Sequence, residues 1–123
     1  MNENKIHGII GYTITPFDQD GKPDDNALEQ CIDRLIADGV HAIAPLGSTG
    51  EGAYLTAQEW EHVAEVSISH VAKRVPTVVS VSALTTDRTV ANAKIAESLG
   101  ADAVMVLPVA YWKLSEDEIV AHY

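Results

Sequence analysis

The sequence predicts an α/β protein in which four consecutive βα units build a parallel sheet. Short apolar runs alternate with longer segments of helical spacing, and this change of period recurs along the 123 residues. Each short run is apolar on nearly both faces and is bounded by Gly or Pro, as is typical of strands covered on both sides. Residues 35–46 (LIADGVHAIAPL) and 96–107 (AESLGADAVMVL) also resemble each other, since each stretch ends a helix at a glycine and then begins a strand.

The predicted strands are residues 8–14, 41–46, 77–81 and 103–107, and a helix follows each of them. The first helix begins at Asp24 and Asp25 and ends at Gly39. The second begins with a capping box of Thr56 and Glu59 and stops before proline 76. The apolar side of each of these two helices is predicted to be buried. The residues are Leu28, Cys31, Ile32, Leu35 and Ile36 in the first helix and Trp60, Val63, Ala64 and Val71 in the second.

The third helix is predicted to begin at Thr86 or Asp87 and to end at Gly100. Its inward residues are expected to be Val90, Ala93, Ala96 and Leu99. The fourth begins with a capping box of Ser115 and Glu118 and is expected to be cut off at residue 123. Four such units favour parallel strands with right-handed crossovers, and periodicity leaves both an open doubly wound sheet and a barrel possible.

Composition restricts the function classes. The formal net charge is −10 and the Lys and Arg residues are scattered, which argues against nucleic acid and anionic membranes as partners. The single cysteine, Cys31, excludes an internal disulfide and is interpreted as a helix-packing residue. The amino terminus does not resemble a signal peptide, and no apolar run is long enough to span a membrane, so a cytoplasmic location is expected. The histidines share no ligand spacing, so no metal site is predicted.

The loop after the second strand, residues 46–52 (LGSTGEG), is the main candidate for chemistry. Sites in parallel βα folds form at the carboxyl ends of strands. Three glycines allow close approach of a ligand, and successive amides with two hydroxyls favour a carboxylate or a phosphate. A flexible glycine turn without a ligand is the alternative. The loop is neither a dinucleotide fingerprint nor a Walker loop, since GxGxxG is absent and no Lys follows the glycines.

The order of motifs resembles the dihydrodipicolinate synthase and N-acetylneuraminate lyase family. The motifs are Thr-Pro-Phe at 15–17, Asp-Gly-Val at 38–40, Gly-Ser-Thr-Gly-Glu at 47–51 and Leu-Thr-Ala-Gln-Glu at 55–59. The resemblance covers essentially the whole chain. It implies that residues 1–123 are one partial domain, the amino-terminal half of a (β/α)₈ TIM barrel, truncated in the fourth helix. It also implies a class I aldolase or synthase that forms a Schiff base between pyruvate and a lysine.

The resemblance implies roles for particular loop residues. Ser48 and Thr49 would bind the carboxylate of pyruvate, and Ser48 would also pass protons in a relay with tyrosines. Gly47 and Gly50 would hold the shape of the loop. Glu51 is interpreted as a loop anchor rather than as an acid or base. Tyr111 is the candidate for a relay tyrosine that reaches a neighbouring subunit, although the chain has Val-Ala where many family members have two tyrosines; an exposed interface aromatic is the alternative.

The family places its lysine on a sixth strand, and none of the lysines here falls in a predicted strand; they are Lys5, Lys22, Lys73, Lys94 and Lys113. The chain is therefore interpreted as a fragment that is inactive alone. No cofactor is expected. The expected partners are pyruvate, an aldehyde or 2-keto acid, and further copies of the chain in a homotetramer, which would also cover the exposed Tyr111 and Trp112.

Two other functions remain open at this stage. The chain could be a non-catalytic half-barrel that binds small carboxylates or assembles with another subunit. A phosphate-binding open α/β domain is the third hypothesis, but it would need a basic residue beside the glycine loop, and the sequence has none there.

Overall fold

The computed structural model describes residues 6–123, and strands alternate with helices along the chain. The strands are β1 (Ile10–Tyr12), β2 (Ala42–Ala44), β3 (Val78–Ser80) and β4 (Ala103–Met105). The helices are α1 (Asp25–Ala37), α2 (Ala57–Val71), α3 (Thr86–Ser98) and α4 (Glu116–His122), and a 3₁₀ turn (Gly52–Tyr54) precedes α2. All the predicted strands and helices are present, whereas the 3₁₀ turn was not predicted.

The strands are shorter than their apolar runs. The run at 41–46 shows the reason, because β2 ends at Ala44 and is followed by Pro45, which has no N–H to donate. Leu46 then takes a positive φ of 65°, which turns the chain out of the sheet. The apolar run therefore predicts burial correctly and overestimates the length of regular backbone pairing.

The four strands lie side by side in sequence order. β1 pairs in parallel with β2, with Tyr12 opposite Ala44, and β3 pairs in parallel with β4, with Ser80 opposite Met105. A parallel bridge between Ile43 and Thr77 joins the two pairs. The Ile43 amide donates to the Pro76 carbonyl at 3.0 Å, and the Ser80 amide donates to the Pro45 carbonyl at 3.1 Å.

This order decides between the two architectures that periodicity left open. An open doubly wound sheet reverses its strand order at a switch point. Here each strand lies beside its predecessor in one direction, so right-handed crossovers place the helices on one face. Helix α1 packs against α2, and α2 packs against α3. The arrangement is that of half a (β/α)₈ barrel.

The predicted helix starts are confirmed for three helices. Asp24 caps α1, since its Oδ1 accepts the Ala27 amide at 3.0 Å. Thr56 and Glu59 form the capping box of α2, in which the Thr56 amide donates to Glu59 Oε2 at 2.8 Å. Ser115 and Glu118 form the same box at α4. These caps are local signals that lie within one turn of sequence, which is why sequence reasoning finds them.

The start and the orientation of α3 differ from the prediction. Its cap is Thr85, whose hydroxyl accepts the Arg88 amide at 3.3 Å, rather than Thr86 or Asp87. Val90 is 46% exposed instead of facing inward. The helix is turned so that buried polar residues face the sheet: Thr89 Oγ1 accepts the Ala83 amide at 3.2 Å, and Asn92 Nδ2 donates to the Val81 carbonyl at 3.3 Å. These hydrogen bonds fix the inward face, and apolar spacing does not reveal them.

Two apolar clusters lie on opposite faces of the sheet. The larger fills the space between sheet and helices; its buried members include Leu28, Ile32, Ile43, Trp60, Val63, Val71, Val79 and Val81. The smaller lies on the face without helices and contains Ala42, Ala44 and Val78, with Ile10, Ala103 and Met105 against them. Alternate residues of β2 and β3 enter different clusters, as the two-residue period of a strand requires.

Among residues 6–123, no helix combines the length and the apolar composition that a membrane span needs.

Candidate functional site

The glycine loop that follows β2 is built by close backbone contacts. A Cβ atom on Gly50 would lie 2.9 Å from the Leu46 amide nitrogen, and one on Gly52 would overlap the Leu46 carbonyl oxygen. Both positions therefore require glycine because the loop folds back on the end of its own strand. A Cβ on Gly47 would lie 3.2 Å from the Tyr12 ring, which places this residue against β1.

Hydrogen bonds hold this loop in one conformation. The buried Thr15 hydroxyl donates to the Gly50 carbonyl at 2.6 Å. Within the loop, the Glu51 amide donates to the Ser48 carbonyl at 3.1 Å, and the Gly52 amide donates to the Gly47 carbonyl at 3.3 Å. Glu51 has a positive φ of 55° and precedes the 3₁₀ turn, so it occupies a turn position of the loop.

Two consecutive residues of this loop are exposed and carry hydrogen-bond donors. Ser48 and Thr49 are exposed, and within residues 6–123 neither amide donates to a protein acceptor. Each residue thus offers an N–H and a hydroxyl at the carboxyl end of the sheet. Such groups suit a carboxylate, because N–H and O–H groups can both donate hydrogen bonds to its oxygens.

A cavity of about 300 Å³ lies beside the loop, between the carboxyl ends of β3 and β4. Gly47 and Ser48 line it, whereas Thr49 and Gly50 belong to the loop without lining it. Glu51 is the one carboxylate that lines the cavity among residues 6–123, and no lysine, arginine or histidine there lines it. The other lining residues are Leu46, Gly52, Ala53, Tyr54, Ser80, Ser82, Leu107 and Val109.

Sequence reasoning missed the two serines of this cavity. Ser80 and Ser82 are buried, and their hydroxyl oxygens lie 3.4 Å apart. The Leu107 amide, in the segment after β4, donates to Ser82 Oγ at 2.8 Å. Strand alternation is the signal that could have found them: Val79 and Val81 face the helices, which puts the even-numbered positions on the other face.

The structure does not bring Tyr111 into this cavity. Tyr111 is 92% exposed and packs edge to face with Trp112, at 5.0 Å between ring centroids. It lines a second cavity of about 360 Å³ together with residues of α4. Val109 lines both cavities and so separates the tyrosine from Ser48 within one chain.

The lysines of the described chain lie elsewhere. Lys73 follows α2 rather than lying on it, and it takes a positive φ of 61°. Its ammonium group donates to the Gly100 carbonyl at 2.7 Å and to Asp102 Oδ1 at 2.8 Å. Lys73 therefore forms an ion pair at the amino end of β4.

The carboxylates with shifted pKa values also lie outside the cavity. Burial raises the pKa of Asp102, but hydrogen bonds from Lys73 and from the Thr77 amide outweigh burial and lower it overall. A hydrogen bond from Arg74, followed by one from His70, lowers the pKa of Asp33. Among residues 6–123, no group of three or more His, Cys, Asp or Glu side chains is arranged to hold a metal ion.

The geometry combines half a (β/α)₈ barrel with a glycine loop that presents donors at the carboxyl end of β2. The sequence model of the Dihydrodipicolinate synthetase family matches residues 5–123. The chain belongs to this family. The resemblance drawn from the loop motifs is thereby confirmed, and so is the assignment of the fold to the amino-terminal half of the family's barrel.

Individual members of the dihydrodipicolinate synthetase family align along nearly all of the chain. A 4-hydroxy-tetrahydrodipicolinate synthase from Acidiphilium cryptum is 36% identical over 96% of the chain and 40% of its own length. A provisionally assigned dihydrodipicolinate synthetase structure from Pseudomonas aeruginosa is 64% identical, with a TM-score of 0.92 over 96% of this chain and 41% of that one.

A prophage protein of the same family from E. coli K12, solved in complex with pyruvate, is 35% identical, with a TM-score of 0.89 over 94% of this chain and 39% of that one. The chain thus spans about 40% of the length of the relatives that it matches.

Proposed function

We propose that this chain supplies the carboxylate-binding part of a pyruvate-dependent lyase. The lyase joins pyruvate to an aldehyde or 2-keto acid, or cleaves such an adduct. The single observation that supports this most directly is the pair of exposed residues Ser48 and Thr49, whose amides donate to no acceptor within residues 6–123, with Ser48 lining a cavity at the carboxyl end of the sheet. Family membership and the pyruvate complex of the E. coli relative agree with it.

The loop would recognise pyruvate by hydrogen bonding rather than by ion pairing. No cationic side chain lines the cavity within residues 6–123, and Glu51 lines it. A carboxylate is therefore expected to bind at the Ser48 and Thr49 donors, where N–H and O–H groups stabilise negative charge. Gly47 and Gly50 keep the backbone in the conformation that exposes these donors.

The carbon–carbon chemistry would use a lysine that lies outside residues 1–123. Its amine adds to the keto carbon of pyruvate, water leaves, and loss of a methyl proton gives the enamine that attacks the carbonyl carbon of the second substrate. None of the lysines at positions 22, 73, 94 and 113 lines the cavity, which supports this part of the proposal. Ser48 would relay protons, since its hydroxyl can both donate and accept.

Tyr111 would act in the same relay across a subunit interface. Its exposed ring and its separation from Ser48 within one chain fit a residue that enters the site of a second copy in a homo-oligomer. The alternative, a half-barrel that binds small carboxylates without catalysis, shares the loop and the cavity and differs only in lacking the lysine step.

The first test is titration of the isotopically labelled 123-residue chain with sodium pyruvate, followed by amide NMR shifts. Saturable shifts are expected at Ser48 and Thr49. Ser48→Ala should weaken binding about fivefold by removing one hydrogen bond. Ser98→Ala, an exposed hydroxyl on α3, is the matched control and should bind as the wild type does. Absence of saturable shifts at the loop would refute the carboxylate-binding role.

The second test is intact-mass analysis after pyruvate and borohydride, which reduces an imine to a stable adduct. No adduct is expected on this chain, because no described lysine lines the cavity. A stoichiometric adduct would show that the nucleophile lies within residues 1–123, and peptide mapping would identify it.

A further inference from the structure

Ser82 occupies a position in the cavity that its neighbours define closely. It follows β3 on the face of the sheet that lacks helices, since Val81 beside it packs in the helix-side cluster. Its side chain is buried and lines the same cavity as Ser48. The Leu107 amide donates to its Oγ at 2.8 Å, which fixes the rotamer of a side chain that would otherwise rotate.

The hydrogen bonds of Ser82 leave its hydroxyl hydrogen available. A serine hydroxyl has one hydrogen to donate, and here its oxygen already accepts the Leu107 amide. The other hydroxyl within reach is that of Ser80, at 3.4 Å, which is longer than an ordinary O–H···O hydrogen bond. A ligand oxygen at the usual distance would therefore be the better acceptor for the Ser82 hydrogen.

In the cavity that Ser82 shares with Ser48, the lining favours an uncharged oxygen; Arg88 lines only a neighbouring cavity of about 170 Å³, which Ser82 also lines. Glu51 lines the same cavity and disfavours a second anionic group there, while the amides of Ser48 and Thr49, which donate to no acceptor within residues 6–123, offer the place for a carboxylate. The group left for Ser82 is an uncharged oxygen close to that carboxylate. In a 2-keto acid, the keto oxygen is such a group.

We propose that Ser82 is a specificity-determining residue that donates its hydroxyl hydrogen to the keto oxygen of a 2-keto carboxylate bound at the glycine loop. This inference rests on the proposed function, because it takes the loop as the carboxylate site. It adds a residue from the third βα unit to the loop of the second. One wall of the cavity then binds the carboxylate, and the other distinguishes a 2-keto acid from a simple carboxylate.

The experiment compares pyruvate with propionate, which has the carboxylate and the methyl end but lacks the keto oxygen. Both ligands are titrated into the labelled wild-type chain and into Ser82→Ala, and binding is followed at the Gly47 and Ser48 amides. Ser82→Ala should weaken pyruvate about fivefold and leave propionate unchanged. Ser98→Ala, which removes an exposed hydroxyl on α3 away from the cavity, is the matched control and should leave both affinities within about twofold.

The comparison separates recognition from structural support. The Ser82→Ala variant also frees the Leu107 amide, and any distortion that follows would weaken both ligands together. Equal weakening of the two ligands, or no change in either, would overturn the role of Ser82 while leaving the loop site intact. If neither ligand shifts the loop amides of the wild type, the carboxylate site fails, and this inference fails with it.

Discussion

Lys73 and Asp102 lie 29 positions apart in sequence, yet Lys73 Nζ is 2.8 Å from Asp102 Oδ1. The second oxygen of Asp102 accepts the Thr77 amide at 2.9 Å and the Thr77 hydroxyl at 3.2 Å. One carboxylate thus joins the end of α2 to the starts of β3 and β4. This contact stabilises the half-barrel at the amino ends of β3 and β4, on the side opposite the cavity.

Asp102→Asn is expected to lower the free energy of unfolding by about 1–2 kcal/mol, because an amide replaces the charged acceptor of several hydrogen bonds. Urea unfolding followed by circular dichroism measures the change. Since the folded pKa of Asp102 is lowered, its contribution is complete above the unfolded value near 3.8 and is lost as the pH falls through the folded pKa. The control is Asp38→Asn, which removes an exposed pair and should cost about 0.5 kcal/mol or less. Equal losses would contradict the assignment.

Gly52→Ala is expected to destabilise the protein by about 3 kcal/mol, since the added methyl group would overlap the Leu46 carbonyl oxygen. Gly39→Ala provides the comparison: its φ is also positive, at 90°, but nothing lies within 4 Å of the added carbon. That variant should lose only about 1 kcal/mol, from backbone strain. Thermal unfolding of the two variants measures the difference, and similar melting temperatures would show that the loop relaxes around the methyl group.

Trp60→Phe should be much milder than Trp60→Ala. The indole Nε1 is buried without a hydrogen-bond partner within residues 6–123. Replacing the indole with a phenyl ring therefore loses packing volume but no hydrogen bond. We expect a loss of about 1–2 kcal/mol for Phe and about 3–5 kcal/mol for Ala in the cavity that it leaves. Urea unfolding monitored by far-ultraviolet circular dichroism distinguishes them. Comparable losses would mean that the N–H group matters more than the ring.

Asp33→Asn should lower the urea midpoint at pH 7, because Asp33 on α1 accepts from Arg74 and from His70 of α2 at 2.8 Å each. Its folded pKa is lowered, chiefly by the hydrogen bond from Arg74, so its stabilising effect is present above the unfolded pKa near 3.8 and disappears below it. The midpoints of wild type and variant should converge as the pH falls below that value. Glu97→Gln, on the exposed side of α3, serves as the control and should show no such convergence. A pH-independent difference would indicate a packing effect.

Local sequence signals account for much of the fold that was predicted. The capping boxes at Thr56 and Ser115 and the cap at Asp24 each involve residues within one helical turn, and the structure confirms all of them. The third helix was placed less well. Its inward face is set by Thr89 and Asn92, which bond to residues of the segment after β3, and a search for apolar spacing passes over polar residues.

The candidate site likewise contains features that the sequence predicts and features that it does not. The glycine loop could be predicted because its residues are adjacent in sequence and because three glycines mark a backbone under steric constraint. Strand alternation could have placed Ser82 on the face without helices, but its hydrogen bond with the Leu107 amide, 25 positions away, could not be predicted from the sequence. From the resemblance, Tyr111 was expected to act with Ser48 in the site of a neighbouring subunit; within one chain the two residues line different cavities, and the relay role stays a prediction.

The sequence by itself determined the order of strands and helices, the caps, and the loop that presents Ser48 and Thr49. Those features follow from periodicity and from hydrogen bonds between near neighbours. Only the tertiary structure decided that the strands lie in sequence order with a shared cavity at their carboxyl ends, that Lys73 forms an ion pair with Asp102, and that Ser82 lines the same cavity as the loop. Each of these depends on contacts between distant parts of the chain, which form only when the βα units pack together.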